Sequence, residues 1–203
     1  MGWIEKMIKL VLIALFFSTQ SFALVPGDKA PDFSLINQNG KLIKLSQIKN
    51  KFIVLEWYND GCPFVRKHYD SKNIQTIQKT YKENDYVSWI SISSSAKGNQ
   101  GHIGNSAHAL KLLQEEGSFA DHLLLDEKGV VGRLYGAVTT PQIVIIDSKM
   151  KIRYIGAIDS IASANVKDIK KAKNYALSAI SKLLLQQEPR PAKTKPYGCS
   201  VKY

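Results

Sequence analysis

Cysteine is scarce in this chain: 203 residues hold only Cys62 and Cys199. No second thiol lies near either one. In the stretch WYNDGCPFVRKHY the position three residues after Cys62, where a local redox pair would have its partner, is Val65. A local disulfide is thereby excluded, and any bridge within the chain has to join Cys62 to Cys199. The chain also has no long apolar run beyond its first residues, no internal repeat and no second set of core-forming segments. These absences exclude a membrane span in the body of the chain, a solenoid, and a second large domain. Acidic residues are outnumbered, 17 against 28 basic ones, for a formal charge of +11. The lysines are spread along the chain and interleaved with acids, which describes a solvated basic surface and not a nucleic-acid footprint; no nucleic-acid partner is expected.

What is present begins with Lys6 and Lys9, the apolar run from Leu10 to Phe17 and the small-x-small triplet Ser21-Phe22-Ala23. This is the pattern of a secretory signal peptide over residues 1–23, cleaved after Ala23; its apolar run falls well short of the roughly 20 residues a spanning helix needs. The expected mature chain of 180 residues keeps a charge of +10 and no stable membrane span. Periplasmic or otherwise exported, it would carry both cysteines into an oxidising compartment, where a bridge between them is permitted.

The body, residues 24–185, alternates strand and helix patterns. Phe33 and Leu35 alternate, Asn39-Gly40 forms a tight turn and Leu42 to Lys44 returns as a strand. FIVLEWY at 52–58 is β-branched and aromatic with Glu56 its only charge, as a strand buried on both faces requires. Pro63 fits the first turn of a helix, where a missing N–H costs nothing. That helix is expected to run to about Tyr81 with a break near Asp70 to Lys72. A second core strand follows at 86–93, then a glycine-rich loop at 94–106, a helix from Ser106 to about Glu116, a strand at 122–125 and a short helix ending near Tyr135. Segments 141–147 and 151–158 read as an antiparallel hairpin. A closing helix is expected from Asn165, with Ile169, Ala172, Ala176, Ile180, Leu183 and Leu184 along one stripe. Residues 186–203 have three prolines and no periodicity and read as an extended tail that carries Cys199. This order predicts an α/β fold with a central mixed β-sheet flanked by helices.

Cys62 stands where a helix begins, so the exposed N–H groups of the first turn favour its thiolate, and Arg66 and Lys67 add positive charge. A nucleophile is one reading of that placement. The other is a structural bridge to Cys199, worth about 5 kcal/mol in the chain-entropy account of so long a loop.

APDFSL, the strand FIVLEWYN leading into Cys62-Pro63, LLDEKGVVGRLYGAVTTPQIVIID and the final KPYGCSVKY together resemble the redoxins of the thioredoxin superfamily, specifically a peroxiredoxin-like exported group. The resemblance spans about residues 26 to 160 and the tail. It implies a thioredoxin fold, a reactive Cys62 at a strand-to-helix junction, and a cis Thr140-Pro141 bond beside the sulfur that offers backbone hydrogen bonds to a partner. A proline that opens an edge strand is the alternative for Pro141. Two departures stand out. The superfamily's CxxC pair is broken by Val65, and the proline that peroxiredoxins place before their reactive cysteine, with the threonine and arginine that polarise the peroxide, are replaced by Leu55, Asn59 and Pro141. Arg66 and Arg133 are the residues left to substitute for that arginine.

The expected activity is thiol-disulfide exchange with Cys62 as nucleophile and Cys199 as resolving cysteine, acting on a protein or small-molecule disulfide. A thiol peroxidase acting on peroxide and reduced by a thioredoxin-like donor is a second reading, and a peptide-binding module with a structural bridge a third. Glu56 reads either as a proton relay under the thiol or as a strand-end carboxylate in solvent. Asn59 reads as a hydrogen-bond donor to the thiolate or as a turn former. Trp57, Tyr58 and Tyr135 read as core packing or as a rim to the site. No cofactor is expected and no metal: His102 and His108 flank the glycine-rich loop, but the second cysteine of a copper-binding CxxxC is replaced by Arg66.

Overall fold

The computed structural model describes residues 23–82 and 86–203. The expected signal peptide lies outside the described residues, apart from Ala23. A seven-stranded sheet forms the centre. In chain order its strands are β1 (Ser34–Asn37), β2 (Leu42–Lys44), β3 (Phe52–Trp57), β4 (Val87–Ser93), β5 (His122–Leu125), β7 (Gln142–Asp147) and β8 (Ile152–Gly156); a two-residue strand outside it, β6 (Thr139–Thr140), comes just before β7. The order across the sheet is β2-β1-β5-β4-β3-β7-β8, with β3, β4 and β5 parallel and the remaining pairs antiparallel.

The helices are α1 (Pro63–Asp70), α2 (Asn73–Lys82), α3 (Ser106–Glu115), α4 (Val130–Leu134) and α5 (Tyr175–Leu184). The mixed sheet flanked by helices matches the α/β layout expected from the strand and helix patterns, and its thioredoxin-fold architecture is the one the redoxin resemblance implied. The alternation of β3 explains its lack of solvent-facing residues. Val54 and Tyr58 face one layer, which includes α1, α2 and α5, while Ile53, Leu55 and Trp57 face the other with Val131, Tyr135, Val144 and Ile146. Each of these aliphatic side chains contributes about 1.5–3 kcal/mol by leaving water. Trp57, Tyr58 and Tyr135 are all buried, and the Trp57 and Tyr135 rings lie 5.6 Å apart, so they pack the core and form no rim.

The break foreseen near Asp70 to Lys72 separates α1 from α2, with Lys72 at a φ of +58°. The closing helix departs from its predicted start. Asn165 does cap a turn, accepting from Lys167 N, but only a short 3₁₀ segment, Val166–Lys170, follows. The backbone is then diverted: Lys173 N donates to Ser160 Oγ, and Asp159 and Asn174 pair as an isolated bridge. Helix α5 starts afresh behind a second cap, Asn174, whose Oδ1 accepts from Leu177 N at 2.9 Å. Ile169 and Ala172 are therefore only half-buried, whereas Ala176, Ile180 and Leu183 reach the core.

The proline-rich tail is docked on the domain. It is anchored along β8, where Ile155 N donates to Ala192 O, Thr194 N donates to Ile155 O and Thr194 Oγ1 accepts from Ala157 N. The chain then continues to β9 (Cys199–Ser200), which pairs antiparallel with β6.

Candidate active site

The site is assembled where the carboxyl end of β3 meets α1. Cys62 occupies the N-cap position with extended backbone (φ −82°, ψ 121°), Pro63 opens the helix, and Cys62 N donates to Asn59 O at 3.1 Å. The Cys62 side chain is fully buried. Its sulfur lies 3.1 Å from the Thr140 carbonyl oxygen and 2.6 Å from the sulfur of Cys199, with both cysteines unbridged. Thr140 and Cys199 are partners in the β6–β9 pairing, and the Thr140-Pro141 bond is cis. Residues 137 positions apart thus meet at one sulfur.

Electrostatics divide the two thiols. Burial opposes ionisation of Cys62, yet its contacts with Cys199, with Thr140 and with Val65 N–H outweigh it, and its pKa lies below the ordinary thiol value. Burial and the neighbouring Cys62 push Cys199 the other way, up to about 11. Of the two thiols, Cys62 is the one that ionises more readily.

Arg66 and Lys67 do not supply the positive field that their positions suggested. The Arg66 guanidinium donates to both oxygens of Glu116 and pairs with Asp70, and its plane lies over the Tyr69 ring. Lys67 is buried and donates to Asp159 Oδ2 at 2.8 Å and Ile161 O at 2.9 Å. Both charges are spent on carboxylates because a buried or half-buried cation needs a partner. Asn59 is likewise committed. Its Oδ1 accepts from Gly61 N and its Nδ2 donates to Gln100 O, which ties the loop before Cys62 to the glycine-rich loop; the turn-forming role is the one seen.

Glu56 is fully buried on β3, so the solvent-facing reading fails. Its Oε2 accepts from Trp89 Nε1 (2.8 Å), Tyr69 OH (3.0 Å) and Ser91 Oγ (3.0 Å), while Oε1 has no hydrogen-bond partner among the described residues. Burial raises its pKa to about 7 despite those donors. Its hydrogen bonds reach the core, and none reaches Cys62. His102 Nε2 faces Glu127 at 3.3 Å, and no metal-binding cluster of three or more His, Cys, Asp or Glu occurs among the described residues.

The sequence model of the AhpC/TSA family matches residues 26–155. The chain belongs to the AhpC/TSA family. No curated protein matches it. Among solved structures it is similar to an uncharacterized conserved protein from Geobacillus kaustophilus (26% identity, TM-score 0.71, covering 88% of this chain and 92% of that one). It also shares its fold with the thioredoxin domain of a thiol-disulfide oxidoreductase from Bacteroides vulgatus (19%, 0.53, 73% and 97%). A third is a peroxidoxin from Mycobacterium tuberculosis (20%, 0.51, 65% and 84%).

The family match ends at residue 155, before the tail, so three features of this AhpC/TSA protein fall outside it: Asp159, Tyr197 and Tyr203. Tyr197 OH bonds Asp159 Oδ1 and lies 3.3 Å from Lys67 Nζ. Tyr203 OH donates to Ala137 O at 2.6 Å. Their local sequence does not mark them, since nothing near Tyr197 signals a bond to a charge pair made by Lys67 on α1 and Asp159 after β8.

Proposed function

We propose that the protein is an exported thiol-disulfide oxidoreductase in which Cys62 is the nucleophile and Cys199 the resolving cysteine. The observation that carries this is the 2.6 Å approach of the two sulfurs, with the lowered pKa on Cys62 and the raised one on Cys199. The Cys62 thiolate attacks one sulfur of a substrate disulfide, forming a Cys62 mixed disulfide and expelling the other sulfur as thiolate, which takes up a proton. Cys199, losing its proton, then attacks the Cys62 sulfur and expels the second substrate thiolate. The substrate gains two electrons and leaves as two thiols, and the protein becomes the Cys62–Cys199 disulfide. Regeneration takes two electrons from a dithiol donor of thioredoxin type by the reverse exchange.

Thr140 and Pro141 form the wall of the reacting sulfur. The Thr140 carbonyl holds the Cys62 S–H, and its Oγ1, buried without a hydrogen-bond partner among the described residues, is available to donate to the thiolate. Asn59 acts at one remove by fixing the loop that presents Cys62. Arg66 does so by holding α1 to α3's end through Glu116, and Glu56 by bracing β3 from within the core.

Exchange is favoured over peroxide reduction by one further observation. Arg66 is held by Glu116, and Arg133 donates to the carbonyls of Lys128 and Gly129 and stacks on Tyr203, so neither substitutes for the peroxide-polarising arginine. Single-turnover reaction of the reduced protein with a small disulfide tests the assignment. Cys199→Ser should accumulate a mixed disulfide on Cys62, and Cys62→Ser should react more slowly by orders of magnitude. Equal reactivity of the two variants would remove the nucleophile assignment. Stopped-flow mixing with peroxide, giving rapid Cys62 oxidation, would instead favour the peroxidase.

A further inference from the structure

The edge of β6 lies beside the reacting sulfur, and it is already occupied. Residues 197–203 run across it as a strap, pairing Thr139 with Ser200 and Thr140 with Cys199, and Val201 N donates to Val138 O at 3.1 Å. The approach is so close that a Cβ on Gly198 would stand 2.0 Å from the Thr140 carbonyl oxygen, and Gly198 holds a φ of +139°. Only glycine allows both.

Each end of the strap is fastened by a tyrosine. Ahead of Cys199, Tyr197 reaches the buried Lys67–Asp159 pair and packs its ring against Phe64 at 5.9 Å. Beyond Cys199, the Tyr203 ring fills a socket on α4, with the Arg133 guanidinium 4.3 Å from its centre and its OH on Ala137 O. The socket is shaped for it: a Cβ on Gly129 or Gly132 would come within 2.3 Å or 2.6 Å of the ring. Between the anchors, Lys202 O accepts from Ala96 N (2.7 Å) and Asn99 Nδ2 (3.2 Å).

We propose that Tyr197 and Tyr203 are specificity-determining residues: by pinning the strap on both sides of Cys199 they keep the β6 edge filled with the chain's own residues and bar extended polypeptide disulfides from Cys62. An extended polypeptide needs the main-chain groups of Thr139 and Thr140, which means displacing the whole strap. A small disulfide needs only that Gly198 and Cys199 part from the sulfur, with both anchors in place. This rests on the redox reading of Cys62 and Cys199 and narrows its substrate class to small disulfides.

The test compares the reduced protein with a Tyr197→Phe, Tyr203→Ala double variant. Each is oxidised by glutathione disulfide and by an extended synthetic peptide whose central cysteine is held as a mixed disulfide with glutathione. Removing hydrogen bonds of this kind raises the population of the undocked strap by about tenfold or more, and the peptide rate should rise with that population. The glutathione disulfide rate should stay within about threefold, because it does not require undocking. Lys67 and Asp159 keep each other and Ile161 in the variant, so the core is not left with an unpaired charge. Gly198→Ala provides an independent route: a Cβ against the Thr140 carbonyl weakens the docking that undocking of the strap has to overcome, and the ratio of peptide to glutathione disulfide rates should rise here too. An unchanged ratio in both variants overturns the proposal. Failure of the underlying redox reading looks different: the wild type would form no Cys62–Cys199 bridge with glutathione disulfide, which overturns both.

Discussion

The lowering of the Cys62 pKa, against the opposing effect of burial, comes first from groups brought to it by the fold, Cys199 and Thr140, and then from the Val65 N–H of the helix it caps. Replacing Cys199 by Ala should therefore move the thiolate titration of Cys62, followed by ultraviolet absorbance, to higher pH. An unchanged midpoint would leave the helix N-terminus as sufficient cause. Glu56 gives a second prediction. Its pKa is raised from 4.5 to about 7, so the folded state holds the proton more tightly than the unfolded chain. The stability associated with it is fully present below about pH 4.5 and is lost as the pH rises through about 7, a change of up to about 3 kcal/mol at about 1.4 kcal/mol per unit. Glu56→Gln removes that dependence. Thermal unfolding should show the variant gaining on the wild type between pH 5 and pH 8, and parallel curves would count against a buried titrating carboxylate.

At the scale of elements, the strands and the first helix were legible because their signals are local. The β-branched run at 52–57, Pro63 at N1 and the break before Asn73 need no tertiary information. The late helix was misplaced because Asn165 and Asn174 are both competent caps, and Ser160 and Asp159, outside the helix pattern, decide between them. Cys62 stood out by its place before a helix and Pro141 by the redoxin resemblance, but the partners of Arg66 and Lys67 could not be located, since Glu116 and Asp159 lie 50 and 92 residues away. The Lys67–Asp159 pair ties α1 to the segment after β8. Lys67→Met should destabilise the protein by about 3–5 kcal/mol, because it strands a buried carboxylate. Adding Asp159→Asn should recover a substantial part of that loss in urea unfolding. No recovery would mean that the lysine's packing, not its charge, is what matters.

For the whole molecule, the tail turns a thioredoxin-like domain with a single thiol at its helix start into a protein with two thiols in contact. The same contact closes a loop of 137 residues. Oxidation should raise the stability of the protein by about 5 kcal/mol in the chain-entropy account, visible as a higher denaturant midpoint for the oxidised form. The central claim is that Cys62 and Cys199 form one redox couple, and non-reducing peptide mapping after oxidation by one equivalent of glutathione disulfide tests it most directly. The expected product is a single cross-linked peptide pair containing Cys62 and Cys199, with both thiols consumed and two glutathione thiols released. Two free thiols, or separate glutathione adducts on both cysteines, would contradict it.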